Sequence, residues 1–354
     1  MKNNKISAIV FAFLAAVFYA VNVPFSKLLL TQLEPKMLAS FLYLGAGTGV
    51  GILYLFNFRK EDKSERLTRK DLPFTIGMIL LDIAAPVFLM TGINLGSASS
   101  ASLLGNFEIA ATALIALLVF KEKISLRLWF AILFITLSCI ELSLEGHGSL
   151  DVSLGSVFVL LAAVSWGFEN NCTRKISGKS TYEIVTLKGI FSGLGALVIA
   201  LLMGEKFSSA VYILYALLLG FVSYGLSIFL YIRAQRTLGA AKTSAYYAVA
   251  PFIGTFLSFL LNGEKLSVNY FLGLGLMIVG SAFAVTDTLL KEHSHLHTHT
   301  IIHTHDGTTH SHVIAHEHEH SHFVTEEKHE HSHEDFMNSE EHLRMHRNSG
   351  EEND

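Results

Sequence analysis

The chain has 354 residues, of which 51% are hydrophobic and 16% charged, and its 30 acidic residues against 26 Lys and Arg give a net charge of -4. Up to about Leu290 the apolar residues gather in runs of about 18 to 25. An ordinary soluble domain is thereby excluded, since a polar stripe would return every three or four residues along its helices.

Ten apolar spans follow in chain order, at 6–29, 37–56, 73–95, 102–120, 127–144, 154–174, 183–203, 210–235, 243–262 and 269–289. Each is about long enough to cross some 30 Å of hydrocarbon at about 1.5 Å per residue. Lys2 and Lys5 before the first span imitate a signal peptide, but the stretch from Ile6 is long for one and lacks a small-x-small cleavage site. A retained first helix is expected. Arg59, Lys60, Lys63, Arg66, Arg69 and Lys70 follow the second span, Lys121, Lys123 and Arg127 the fourth, Arg174, Lys175 and Lys179 the sixth, and Arg236 and Lys242 the eighth. All these loops fall on one side, and the other side offers little beyond Lys36, Lys206 and Lys265. The positive-inside rule then predicts a multi-pass protein of the plasma (inner) membrane with both termini in the cytoplasm. Cys139 and Cys172 sit in or beside apolar spans without metal-type spacing, and are read as reduced packing residues.

The spans repeat. AAVFYAVNVPFSK (15–27) lies over AAVSWGFENNCTR (162–174), LGSASSAS (95–102) over LGAAKTSA (238–245), and KEKIS (121–125) over GEKLS (263–267), in the same order. Five helices per copy is an odd number, so the second copy enters the membrane upside down, the inverted-repeat plan of many transporters. The predicted fold is an all-α integral membrane protein of about ten transmembrane helices in two inverted five-helix repeats, 1–147 and 148–290, followed by a disordered, His-rich tail, 291–354.

The stretches SASSASLLGNFEIAATALIALLVFKEKIS and GAAKTSAYYAVAPFIGTFLSFLLNGEKLS resemble the fourth-helix motif of the drug/metabolite transporter superfamily, specifically its EamA-type members. The likeness covers about residues 6–290. The first copy keeps Glu108 but has Ile109 where Pro is usual, and the second keeps Pro251 but has Ala250 where Glu is usual. An Arg often found early in the second helix is replaced by Phe41 in one repeat and Lys188 in the other. The resemblance implies a secondary carrier and places the acidic fourth-helix position near the substrate cavity.

An ionisable residue deep in a membrane helix needs a cavity or a partner, so it is a functional candidate by default. Asp82, in ILLDIAAPVF, has no charge within ten residues on either side. It is the first candidate for binding or proton coupling. Glu108 with Asn106, and Glu169 with its repeat mate Asn22, come next; each could equally brace helix packing. Asn22 and Pro24 predict a kink in the first helix. Lys188 reads either as a snorkelling side chain or as the partner of one of the acids. Tyr246 and Tyr247 could stack on a substrate or merely pack. No catalytic residue is expected, and the chain does not read as an enzyme.

Seventeen of the 18 histidines lie in the tail. Fifteen of these alternate with other residues: His293, His295, His297, His299, His303, His305, His310, His312, His316, His318, His320, His322, His329, His331 and His333. Period two puts neighbouring imidazoles of an extended chain on one side, where they can share an ion. Neutral imidazole suits zinc, nickel, copper or cobalt, and its binding weakens as pH falls through about 6.5. His316 to His320 and His329 to His333 formally match HExxH, but in an alternating run that match is automatic and implies no protease. The tail is otherwise too polar to build a core.

The expected function is transport of a small organic metabolite, as an exporter, by alternating access. The tail binds metal and regulates; no cofactor is required for transport itself. The alternative is a divalent transition-metal transporter, for zinc, nickel or cobalt, with the tail capturing the ion. Expected partners are the lipid bilayer, a small-molecule substrate and transition-metal ions, with a homodimer left open and no nucleic acid.

Overall fold

The computed structural model describes residues 2–57, 65–121, 124–144, 152–176, 178–238, 243, 246–264, 266–305 and 308–323. Residues 2–288 are one compact helical unit, and the tail is a separate one.

Among the described residues, eight helical spans are long and apolar enough to cross a membrane, with Ala250–Asn262 a shorter apolar helix. A further 22-residue helix, Leu154–Lys175, carries Glu169, Arg174 and Lys175. The all-α membrane fold read from sequence is the fold observed. The first span is α1 (Lys2–Ala20) and α2 (Asn22–Leu29), interrupted at Val21. Pro24 has no N–H to give the turn before it, which explains why the interruption falls there. The second is α3 (Pro35–Asn57).

A capping box starts the third span: Thr68 N–H and Oγ1 donate to Asp71 Oδ2 at 2.8 and 2.7 Å, and α4 (Leu72–Leu95) follows. Pro86 lies inside α4, four residues after Asp82, so the Asp82 carbonyl lacks its helical donor. The fourth span begins at α5 (Ala98–Leu104), earlier than the expected 102, and after Gly105–Asn106 continues as α6 (Phe107–Phe120). Then come α7 (Leu126–Ser143), α8 (Leu154–Lys175) and α9 (Thr181–Leu202). The eighth span is α10 (Ala210–Gly220), a π-helical turn at Phe221–Leu226, and α11 (Ser227–Leu238). It ends with α12 (Ala250–Asn262) and α13 (Val268–Leu289). Lys121 and Gly263, matched by the repeat, both close their helices in the left-handed region, with φ of 55° and 62°.

Small residues set the packing, because close backbone approach is a main source of helix association in lipid. α3 packs along α9, and α4 along α8. A Cβ added to Gly189 would overlap the Gly47 backbone, and one added to Gly45 or Gly220 would strike the carbonyls of Leu217 or Leu42. Large apolar side chains such as Phe56 and Leu202, 79% and 82% exposed, cover the outside, as suits a lipid-facing surface.

In the tail, the backbone of β1 (Leu290–His305) pairs antiparallel with that of β2 (Thr308–Phe323). Two strands alone are at best marginally stable in water, so the ribbon adds no core. His329, His331 and His333 lie outside the described residues.

Candidate functional site

Four helices bring the intramembrane charges together. α4 carries Asp82, α8 carries Glu169 and α9 carries Lys188, whose Nζ lies 2.9 Å from Asp82 Oδ2 and 2.9 Å from Glu169 Oε1. Asp82 and Glu169 are buried, and the Lys188 side chain is 17% exposed. Lys188 therefore does not snorkel; it bridges two acids. On α3, Tyr43 Oη donates to Asp82 Oδ1 at 3.0 Å and accepts from Trp166 Nε1 at 3.3 Å. Thr173, one turn beyond Glu169 on α8, donates to that carboxylate.

α8 links this triad to a third carboxylate. Asn170 Nδ2 donates to Glu108 Oε1 at 2.6 Å and lies 3.3 Å from Thr112 Oγ1. Asn171 holds the same two helices together, donating to the carbonyls of Gly167 and Thr112 at 2.9 and 3.2 Å. The buried Asn106 Nδ2 has no hydrogen-bond partner among the described residues. Asn22 Nδ2 donates to Tyr224 Oη at 2.8 Å and Asn22 Oδ1 accepts from Ser26 Oγ at 3.2 Å, so Asn22 and its repeat mate Glu169 both serve the interior.

Tyr224 sits in the π-helical turn, a distortion often found at functional sites. Its ring lies 5.2 Å from that of Tyr43 and 6.1 Å from that of Tyr19. Tyr19 continues to Tyr247 at 5.7 Å, whose Oη is 3.3 Å from Ser227 Oγ. Tyr246 is 40% exposed and does not join this group, because it precedes Tyr247 by one residue and takes another face of the helix. Tyr43, Trp166, Tyr19 and Tyr224 were not anticipated. Only Trp166 carried a signal, being three residues before Glu169 and so on its helix face.

A small open cavity of about 60 Å³ lies at the Thr181 end of α9, lined by Thr181, Tyr182, Val185, Val50, Phe229 and Arg233. Its α9 wall, Thr181–Tyr182–Val185, runs at helical spacing to Lys188, one turn deeper. Filling it with Val185→Trp is expected to cut transport at least about tenfold while leaving the melting temperature within a few degrees. Paired uptake and thermal-unfolding measurements check this.

Charged groups cross-link the opposite end. Lys27 Nζ donates to the carbonyls of Ile93 and Gly96, both at 2.7 Å. Glu205 accepts from Met37 N–H at 2.8 Å and pairs with Lys36 Nζ at 2.9 Å. Glu264 accepts from Ala98 and Ser99 N–H at 2.6 and 2.9 Å, reaching the other repeat rather than tying its own turn. Ser125 and Ser267 start the helices that follow, accepting from Leu128 and Tyr270 N–H at 3.1 Å each. Glu122, Lys123 and Lys265 lie outside the described residues. Charged hydrogen bonds of this kind contribute about 1.5–3 kcal/mol each. Glu264→Ala should therefore raise the alkylation rate of a Ser102→Cys reporter, buried beside this end, by about tenfold or more.

The comparisons with known proteins bear on what this interior serves. The model of the EamA-like transporter family matches residues 6–144 and again 153–286. The chain belongs to the EamA-like transporter family. It is a multi-pass membrane transporter by that membership, and the two successive matches fall on the two halves of the repeat. It is 26% identical over 273 residues to an "Uncharacterized transporter" of Methanothermobacter thermautotrophicus, covering 72% of this chain and 79% of that one. A Clostridium kluyveri protein with the same printed name is 24% identical over 291 residues, covering 77% and 91%. A protein of known crystal structure superposes on 80% of this chain and 97% of its own with a TM-score of 0.58 at 16% identity, which shows the fold alone.

Proposed function

We propose that this EamA-like transporter is a secondary carrier for a small organic molecule bearing a cationic group, either an amine or a zwitterion. The observation that carries the reading is Lys188 held between Asp82 and Glu169, with Glu108 beside them. Three carboxyl groups face one ammonium in this cluster. An excess buried charge is costly, so the site calls for a proton or a cationic substrate group to balance it. A substrate ammonium can take the place of Lys188 on Asp82 and Glu169, and a substrate carboxylate can take the released Lys188. The tyrosines around it offer rings to the substrate's apolar part and hydroxyls to its polar atoms.

Transport then alternates between two states. In one, the molecule enters from the cavity at Thr181, which the positive-inside rule places at the cytoplasm, while the Glu205 and Glu264 ties close the outer end. In the other, those ties open and the cavity closes. Entry from the cytoplasm makes the direction export, across the plasma (inner) membrane with both termini inside. Proton uptake by the carboxyl cluster on the return supplies the coupling. The cytoplasmic tail binds a transition-metal ion and makes transport metal-responsive.

The test is ligand-induced stabilisation of the purified protein. A panel of amines, amino acids, carboxylates and zinc would be scanned for a raised melting temperature, in the full chain and in one ending at Leu290. The reading expects amines or zwitterions to stabilise both forms, and zinc to stabilise only the full chain. Stabilisation by simple carboxylates alone, or by zinc in the shortened chain, would overturn it in favour of an anion or a metal pathway.

A further inference from the structure

The strands of the tail are paired so that residue numbers across the ribbon have opposite parity: His293 faces His320, His295 faces His318, and His297 faces His316. The histidines of β1 all carry odd numbers and those of β2 all carry even numbers. Residues directly opposite in an antiparallel pair share a face, and so do residues two apart on one strand. We infer that all twelve histidines of the ribbon occupy one face, forming a row of cross-strand metal sites that folds on transition-metal binding.

Two independent features of the sequence agree with this register. The parity switches at Asp306–Gly307, and Asp-Gly is among the dipeptides most favoured in the two-residue turn of a hairpin. β-Branched residues are frequent between the histidines: Thr298, Thr300, Ile302, Thr304, Thr309 and Val313. An unordered metal-binding tail has no need of a parity switch.

The spacing suits ion binding. Opposed residues on a face stand about 4.5–5.5 Å apart at Cβ, and those two apart about 6.6 Å. Two adjacent His pairs thus supply four ligands around one position, the number zinc takes. His293–His320 with His295–His318 makes one such quartet, and His303–His310 seeds a second further out. Since two strands alone are marginal, the ions stabilise the ribbon and the ribbon orders their ligands.

The test exchanges neighbours and leaves composition unchanged. In one variant each His of β2 is exchanged with the residue after it, His310 with Ser311 through to His322 with Phe323. Six histidines then move to the other face, and every His-x-His spacing survives. In a second variant each His of β1 is also exchanged with the residue before it, which returns all twelve to a common face. Zinc is titrated into full-length protein in nanodiscs against a competing chelator. The wild type is expected to hold about two tight ions. The first exchange should weaken them by at least about tenfold, and the second should restore them. Equal affinity in all three would overturn the ribbon while leaving a metal-binding tail. The inference rests on that tail reading, and absence of zinc binding in the wild type would sink both.

Discussion

Lys188→Gln is expected to lower transport by at least about a hundredfold and to destabilise the helical unit by about 3–5 kcal/mol, the usual cost of stripping one partner from a buried ionic group. The lysine spans 2.9 Å contacts to both Asp82 and Glu169, so its loss leaves two buried carboxyl groups without a counter-charge. The loss of stability separates from the loss of function in the double variant Lys188→Gln with Asp82→Asn. Removing one charge of each sign should recover most of the melting temperature but none of the transport. Equal uptake by Lys188→Gln and wild type would show that the triad is a packing device only. Thermal unfolding and uptake, measured on the same preparations, give both numbers.

The second large effect concerns the backbone. Gly189→Leu is expected to abolish a folded, monodisperse preparation, because even a Cβ at this position overlaps the backbone of Gly47 on α3. Overpacking against a side chain costs about 1–3 kcal/mol because the neighbour can turn aside. Two apposed backbones cannot, so α3 and α9 must separate, and Lys188 on α9 moves with them. Gly275→Leu on α13 is the control, since nothing lies within 4 Å of its added Cβ. Size-exclusion profiles after extraction should show wild-type behaviour for Gly275→Leu and aggregation for Gly189→Leu.

The charges of the interior were legible in the sequence for a plain reason: lipid makes an ionisable residue in an apolar run stand out. Asp82, Glu169 and Lys188 could each be named, but not that they meet, because their helices are brought together by glycine contacts with no partner written beside them. The tyrosines were hidden by the opposite effect. Tyr43 and Tyr224 sit in runs where an aromatic residue is ordinary, and only their hydroxyl partners, Asp82 and Asn22, distinguish them. The interruption of the first span at Val21 was readable from the missing donor of Pro24, whereas the π-helical turn at Phe221–Leu226 has no comparable mark. In the tail, period two was plain. The change of parity across Asp306–Gly307 is written in the sequence too, but it gains meaning only from a register that sets odd residues of β1 against even residues of β2.

The most direct test is uptake driven by an imposed pH gradient in proteoliposomes, using the amine or zwitterion that stabilises the protein best, with wild type compared with Asp82→Asn. The account predicts accumulation by the wild type against the substrate's own gradient, collapse of that accumulation when the pH gradient is dissipated, and no gradient-driven accumulation by Asp82→Asn. Accumulation by Asp82→Asn equal to wild type would contradict it, as the cluster would then lie outside the transport path.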